Sequence, residues 1–396
     1  MYNLDFVICS VPRMNMLYPP PAPAVLKSIL TANNFKCKTR DFVSDFYYTF
    51  KDHPDWTKID NWNALPNYND PKIEKIISEK AEQWATELLG YKSRWIGISI
   101  FSYESHKIGK LLAEKIKIQD SSQKIFMGGQ GVTNVNNNYP ETLQEQGLVD
   151  AYITGEGEVS VVEFAKNNLD HPGINKKNFI RVEKAVIDHL PSPDYSDYDL
   201  SLYGKNNLGV YGDLNDRKNV YAETQNTLPI TGSRGCVRKC SYCDIPYLYP
   251  KFTHRGGFEV ASEIIKKTKR NGVRKFHFTD SLINGSMKEF RIMCETLAKH
   301  NTDTQNNIAW SGQFIFRPKG QHTAEDWKLA ARAGASVFEV GIESASDDLR
   351  FAMGKKFTTD DIAYELEHCS KNKISVFPLM IVGYPTETEK HYQEYT

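Results

Sequence analysis

No stretch of the 396-residue chain approaches the roughly eighteen consecutive apolar residues that a membrane-crossing helix needs. Neither sign of charge is in excess: 49 basic and 49 acidic side chains cancel. That balance removes the global pull toward nucleic acid or an anionic membrane surface. The opening Met1-Tyr-Asn-Leu-Asp5 lacks the basic segment and apolar stretch of a secretory signal. Cysteine is sparse, seven in all, which excludes a disulfide-stapled scaffold. A reducing, cytoplasmic location is therefore expected, with no membrane and no nucleic acid as partner. No internal repeat or low-complexity tract is present, and the length suits two or three domains with substantial cores.

What the chain does have is concentrated in one loop. Three of its cysteines fall in Thr231-Gly-Ser-Arg-Gly-Cys236-Val-Arg-Lys-Cys240-Ser-Tyr-Cys243-Asp-Ile-Pro246. A structural zinc site would want a fourth ligand, for which His254 is available although a second cysteine pair is not. Three thiolates on one loop also suit three corners of a [4Fe–4S] cube, which normally takes four cysteines. The loop, with Tyr242 just before the last cysteine, resembles the signature of radical S-adenosylmethionine (radical SAM) enzymes. The resemblance implies a cluster held by Cys236, Cys240 and Cys243, whose open iron chelates the amino and carboxylate groups of S-adenosylmethionine (SAM). The remaining cysteines, Cys9, Cys37, Cys294 and Cys369, lie in strand-like or helix-like contexts and read as buried, inert thiols.

The first part of the chain reads as an α/β domain. Apolar runs at 4–10, 37–42, 95–101, 124–127 and 149–154 alternate with helical patterns, which predicts a doubly wound, flavodoxin-like or Rossmann-like parallel sheet. Residues 45–71, polar and aromatic with scattered Pro and Asn, read as an irregular excursion. Ile73 to Leu88 repeat at helical spacing, and Gly90 is placed to end that helix. Ligands of such sheets sit beyond the carboxyl ends of the strands. There the chain has Ser99, Gly128-Gly129-Gln-Gly131 and Gly155-Glu156-Gly157-Glu158, where glycine permits either tight turns or close ligand approach. With the proline-rich loop Pro19 to Pro21, these turns resemble the cobalamin-binding domain that precedes the radical SAM barrel in one large subfamily. The resemblance implies cobalamin near those residues. The first loop has no histidine to offer cobalt, and Glu104-Ser-His106-Lys-Ile-Gly109 follows the third strand and starts a helix instead. Cobalamin would be held without a histidine ligand, or the domain keeps the fold and is empty.

Leu190-Pro-Ser-Pro-Asp-Tyr-Ser-Asp-Tyr-Asp199 reads as an extended linker, and 200–227 as a polar loop over the barrel entrance. The expected domains are 1–170, a linker and loop segment 171–227, and 228–396. In the last, strands at 228–231, 273–279, 308–316, 336–342 and 374–382 alternate with helices, which predicts a partial (β/α)6 barrel with chemistry at its carboxyl ends. Asp280, Ser281 and Asn284 follow the second strand, where the common Gly-Gly-Glu of radical SAM proteins is absent. Gln313 and Arg317 lie on or just after the third, and an arginine can grip a carboxylate by two hydrogen bonds. Glu343 and Ser344 end the fourth and resemble the family's ribose- and methionine-contacting pair. Ile381 and Gly383 belong to a segment resembling the adenine cradle, although two usual glycines are Leu379 and Thr386 here. The blander reading makes Asp280 a helix cap and pairs Glu343 with Lys355 or Lys356. The chain stops after its fifth barrel strand, whereas family barrels have six.

The expected function is reductive cleavage of SAM to a 5′-deoxyadenosyl radical, supplied by an external electron donor and acting on a small-molecule substrate. With cobalamin, methylation of an unactivated carbon is expected, ahead of ring formation or rearrangement. The alternatives are a radical SAM enzyme with an empty first domain, a methylthio-transferring enzyme, for which further N-terminal cysteines are lacking, and a non-catalytic cluster-bearing scaffold.

Overall fold

The run Leu-Asp-Phe-Val-Ile-Cys-Ser folds as β1 (Leu4–Ser10), its last five residues buried, as in a strand covered on both faces. The computed structural model describes residues 2–12, 14, 16–133, 138–177, 180–182, 184–203, 226–304 and 307–394. In it β1 joins β2 (Cys37–Asp41), β3 (Ser93–Ser99), β4 (Lys124–Gly128) and β5 (Ala151–Ile153) in a parallel sheet of order β2-β1-β3-β4-β5. Winding reverses between β1 and β3, so helices cover both faces and a crevice forms beyond the strand ends at that point. Alternate residues feed two cores. Val7 and Cys9 join Ile96, Ile98, Ile125 and Met127 beneath the helices Pro71–Gly90 and His106–Gln119. Phe6 and Ile8 join Phe126, Ile153 and Phe164 beneath Pro21–Ala32 and Gly157–Ala165.

The excursion expected over 45–71 is instead two helices, Phe42–Phe50 and Trp56–Ala64. Asp41 caps the first, accepting from the Val43 and Ser44 N–H groups at 2.9 and 3.2 Å. Phe42, Phe46, Phe50, Ile59 and Trp62 are the buried stripe, and Phe42 stacks on Trp84 at 4.6 Å. Because that stripe is mainly aromatic and amid polar residues, its helical period is masked. As expected, the helix Pro71–Gly90 ends at Gly90; the left-handed residue that follows is Lys92, with φ 50°.

The described residues divide into two compact units. One runs to Val182 and resumes from His189 to Tyr203; the other has the short helix Lys184–Asp188 and the chain from Asn226 onward. The segment 190–199 is thus no free linker. Lys27 reaches Asp194 at 3.2 Å, Asp197 at 2.7 Å and Ser196 at 2.8 Å, and the Asp194 N–H donates to the Ala24 carbonyl at 3.0 Å. Most of the expected 200–227 loop lies outside the described residues.

The second unit holds β6 (Thr227–Ile230), a two-stranded antiparallel ribbon of β7 (Ser233–Arg234) and β8 (Thr253–His254), then β9 (Lys275–Phe278), β10 (Ala309–Phe314), β11 (Ala335–Glu343) and β12 (Ser375–Met380). Strands β6, β9, β10, β11 and β12 are parallel and lie side by side in chain order. Sequential order with an intervening helix each time is the winding of a barrel wall. Among the described residues β6 and β12 do not pair, so the wall is an open arc. Its outer face is aromatic and buried: Phe276, Phe278, Trp310, Phe314 and Phe338. Phe314 stacks on Phe338 at 4.2 Å, and the Trp310 indole donates to the Ala333 carbonyl at 3.0 Å. As expected, Gly272 closes the helix Gly257–Asn271 in the left-handed conformation, φ 68°.

Candidate functional site

The cysteine loop leaves the carboxyl end of β6, and three ties fix its root. The Gly232 N–H donates to Asp280 Oδ2 at 2.9 Å, Ser233 Oγ donates to the Leu282 carbonyl at 3.0 Å, and β7 pairs with β8. Gly235 is left-handed, φ 79°, and a side chain there would lie 2.9 Å from the Lys251 carbonyl. The tip is turned by the Cys243 N–H on the Cys240 carbonyl, 3.2 Å, and pinned from outside by the Ser241 N–H on the Met353 carbonyl, 3.1 Å.

All three cysteines are free and half-buried. Burial raises Cys236 and Cys243, and each is further raised by the Cys240 thiol and opposed by Lys355. Cys236 Sγ accepts the Arg238 N–H at 3.4 Å, the kind of backbone bond that stabilises thiolate sulfur. Three thiols on one glycine-turned loop, with an N–H aimed at one sulfur, fit a cluster. No three or more His, Cys, Asp or Glu among the described residues are gathered to grip a single metal ion. His254, the candidate fourth zinc ligand, lies on β8 with Nδ1 on the Arg255 carbonyl at 3.1 Å.

Tyr242 and Glu343 come together. Burial, and then the Glu343 carboxylate beside it, raise the Tyr242 phenol well above its ordinary value. Glu343 pairs with Lys355 at 2.9 Å, the ion pair that the blander reading of this residue expected. A register shift between Gly341 and Glu343 precedes it, and Glu343 itself has φ 68°, left-handed backbone that a glutamate rarely adopts. Ser344 is fully buried; its hydroxyl accepts the Ser346 N–H at 3.1 Å and its carbonyl is held by Arg350. It shapes the turn after β11.

Asp280 is buried and takes the N–H of Gly232, with burial lifting its carboxyl to about 7. It anchors the loop, and is no helix cap. Ser281 is half-buried beside it. Arg317 is committed to backbone: Nη2 donates to the Asn284 and Gly285 carbonyls at 2.6 and 3.2 Å, and Nη1 to Gln321 Oε1 at 3.4 Å. The two-point grip on a ligand carboxylate expected of it is taken up by these bonds, leaving a buried Nε–H without a partner among the described residues. Gln313 is exposed on the inner face, in register with buried Glu339, next to the His277–Ser311 pair at 3.0 Å. Ile381 donates its N–H to the Glu343 carbonyl at 2.8 Å, and Gly383, φ 87°, has open space around it.

Sequence reading placed Asn284 at this strand end and Lys355 as a partner of Glu343, but missed Arg350, His322 and Glu365; Asn284, His322 and Glu365 form a buried chain. In that chain Asn284 Nδ2 meets His322 Nε2 at 3.1 Å and His322 Nδ1 meets Glu365 Oε1 at 2.7 Å. Nothing local marks His322 and Glu365, because the members of that chain come from separate βα units.

In the first unit the glycines serve the protein's own chain. A side chain at Gly129 (φ 110°) would sit 2.4 Å from the Ile100 carbonyl, at Gly131 2.8 Å from that of Ser102, and at Gly155 (φ 77°) 2.4 Å from the Ile180 nitrogen. Glu156 is buried and accepts the Val182 N–H. Only Gly128 and Gly157 have ordinary contact distances, 3.5 and 3.4 Å. His106 stacks on Tyr139 at 3.9 Å and meets the Gly131 carbonyl at 2.8 Å, at the start of a helix. At the β1–β3 crevice, just beyond Ser99, Phe101 and Tyr103 are 47% and 63% exposed, an aromatic rim suited to a broad, partly apolar ligand.

Residues 230–395 match the family model of the Radical SAM superfamily. An anaerobic magnesium-protoporphyrin IX monomethyl ester cyclase of Synechocystis is 25% identical over 232 residues, 58% of this chain and 44% of its own length. A bacteriochlorophyllide d C-12(1)-methyltransferase of Chlorobaculum tepidum is 29% identical over 170 residues, 42% of this chain and 36% of its own. The chain thus spans less than half the length of either. The radical S-adenosylmethionine methyltransferase TsrM of Kitasatospora setae, solved with cobalamin and a [4Fe–4S] cluster, superposes with TM-score 0.64 at 17% identity. That match covers 98% of this chain and 71% of TsrM, and the likeness is one of fold.

Proposed function

We propose, from the premise that the chain is a radical SAM protein whose first domain has the B12-binding-type fold, that it is an enzyme cleaving SAM reductively to methylate a small molecule. The observation that carries this is the Cys236, Cys240, Cys243 loop at the end of the first strand of a barrel wall, with Tyr242, Glu343 and Lys355 gathered against it. When bound, the cluster supplies an electron to the SAM sulfonium, releasing methionine and a 5′-deoxyadenosyl radical, and cobalamin supplies a methyl group. The chain's own residues hold and orient. The three cysteines grip the cluster, Asp280 and Arg238 fix the loop that carries them, and Glu343 offers an acceptor at the β11 end where a ribose or amino group would lie. Ser281, Ile381 and Gly383 border the same strand ends, and Gln313 presents its amide from the inner face of the wall. In the first unit, Phe101 and Tyr103 are the residues that fit cobalamin, beside Ser99, Gly128 and Gly157; no histidine is positioned to meet its metal.

Methyl transfer is supported by two similar proteins named methyltransferases, TsrM and the bacteriochlorophyllide d enzyme; ring formation, which the cyclase carries out, is the second reading. Methylthio transfer would call for further cluster ligands in the first unit. Cys9 and Cys37 are its only cysteines, burial raises both thiols, that of Cys37 to about 12, and they lie on separate strands. An electron donor from outside the chain, no nucleic-acid partner and a cytoplasmic site of action belong to this reading; no helix of the described residues is long and apolar enough to cross a membrane.

The test is anaerobic reconstitution with iron and sulfide, then incubation with SAM and dithionite. 5′-Deoxyadenosine should form, and Cys240→Ala should abolish it together with most of the bound iron. Undiminished cleavage by that variant would refute the assignment. Absorption spectra of protein offered hydroxocobalamin report separately on the first unit.

A further inference from the structure

The segment after β11 is built onto the cysteine loop. The Met353 carbonyl takes the Ser241 N–H at 3.1 Å. At Gly354, φ 88°, a side chain would stand 3.2 Å from the Lys239 carbonyl and 3.5 Å from Cys240 Cα, so the backbones touch. Lys355 follows, its side chain only 10% exposed. The ammonium lies 2.9 Å from Glu343 Oε1 and 6.0 Å from the centre of the Tyr242 ring, the residue between Cys240 and Cys243. Gly341 opposite is bare; a side chain there would come within 2.8 Å of the ammonium.

A buried lysine needs a reason, since desolvating an ammonium costs several kcal/mol unless opposite charge surrounds it. One carboxylate, Glu343, balances it. Adding an electron to an assembly already carrying three thiolates makes it more negative, and a nearby cation in a low-dielectric setting favours that form.

We propose that Lys355 is a charge-compensating positioning residue of the cluster site: its ammonium, held by Glu343 beside the cysteine loop, stabilises the reduced cluster and raises its potential. This rests on the radical SAM reading above. Glu343 acts in the opposite sense, by neutralising the ammonium, so the pair is a two-handed control on how easily the cluster accepts its electron.

The experiment is an anaerobic redox titration of the reconstituted full chain without SAM, followed by electron paramagnetic resonance, on wild type, Lys355→Gln, Lys355→Arg and Glu343→Gln. At fixed potential, Lys355→Gln should lower the reduced-to-oxidised ratio at least tenfold, about 59 mV for one electron. Glu343→Gln should raise the ratio, and Lys355→Arg should stay near wild type. A fully loaded Lys355→Gln protein with unshifted potential overturns the proposal, even if its SAM affinity falls, because Lys355 would then be a SAM contact. If Lys355→Gln loses its iron, Glu343→Gln decides: a raised potential supports the proposal, an unchanged or lowered one overturns it. Wild type that forms no cluster sinks the underlying reading as well.

Discussion

Asp280, at the end of β9, accepts the backbone N–H of Gly232 at 2.9 Å, so a buried carboxyl on one strand fixes the first residues of the cysteine loop on the next. Burial raises this group from 3.8 to about 7. A raised acid favours the protonated folded state. Its contribution to stability is therefore complete below pH 3.8 and lost as pH rises through about 7, on the order of 4 kcal/mol at most. Asp280→Asn keeps an acceptor and does not titrate. Urea unfolding should show the variant gaining on wild type between pH 4 and 8; a constant difference across that range contradicts the assignment.

Gly341→Ala should loosen the Tyr242, Glu343, Lys355 group without touching a cysteine. The added methyl would lie 2.3 Å from Glu343 Oε1 and 2.8 Å from the Lys355 ammonium. A loss of about 1–3 kcal/mol is expected from overpacking. Thermal unfolding measures it, and an unchanged melting temperature would mean the ion pair has room to move.

His322→Ala should destabilise the second unit. It takes the imidazole from Glu365, which is completely buried and has one oxygen, Oε2, already without a partner among the described residues. The other, Oε1, would keep only the long Arg317 N–H bond at 3.3 Å, and losing the imidazole costs about 1–3 kcal/mol. A double-mutant cycle with Glu365→Leu should recover part of the loss; strict additivity would show that the two side chains are energetically independent.

The first-unit glycines should separate into two kinds. Gly155→Ala places a methyl 2.4 Å from backbone at Ile180 and forces φ 77° on alanine, so the melting temperature should fall by several degrees. Gly157→Ala meets only the end of Leu26 at 3.4 Å and should be tolerated. Equal losses of stability in both would mean that turn geometry is not what distinguishes them.

The parallel strands were legible because each is a short apolar run between helical patterns, and the cysteine loop because its spacing is chemically narrow. Gly272 was legible as a helix stop for the same local reason. Phe42–Phe50 escaped because its buried stripe is aromatic and its cap, Asp41, doubles as the end of a strand. Arg317 was assigned a ligand because its carbonyl partners at 284 and 285 carry no side-chain signal. The glycines after β4 and β5 looked open because the Ile100 and Ile180 backbones that fill the space beside them come from other parts of the chain. Contacts between distant backbones leave no pattern in sequence.

The strap at 190–199 changes where the first domain can be cut free. A version ending at residue 170 would strip Lys27 of both its aspartates and remove Tyr203, whose hydroxyl meets Asp41. A buried lysine would be left with no counter-charge, and a helix cap would lose one of its neighbours. Anyone isolating that half to weigh its cofactor should carry the strap along, or an empty result will report on broken scaffolding and not on vitamin chemistry.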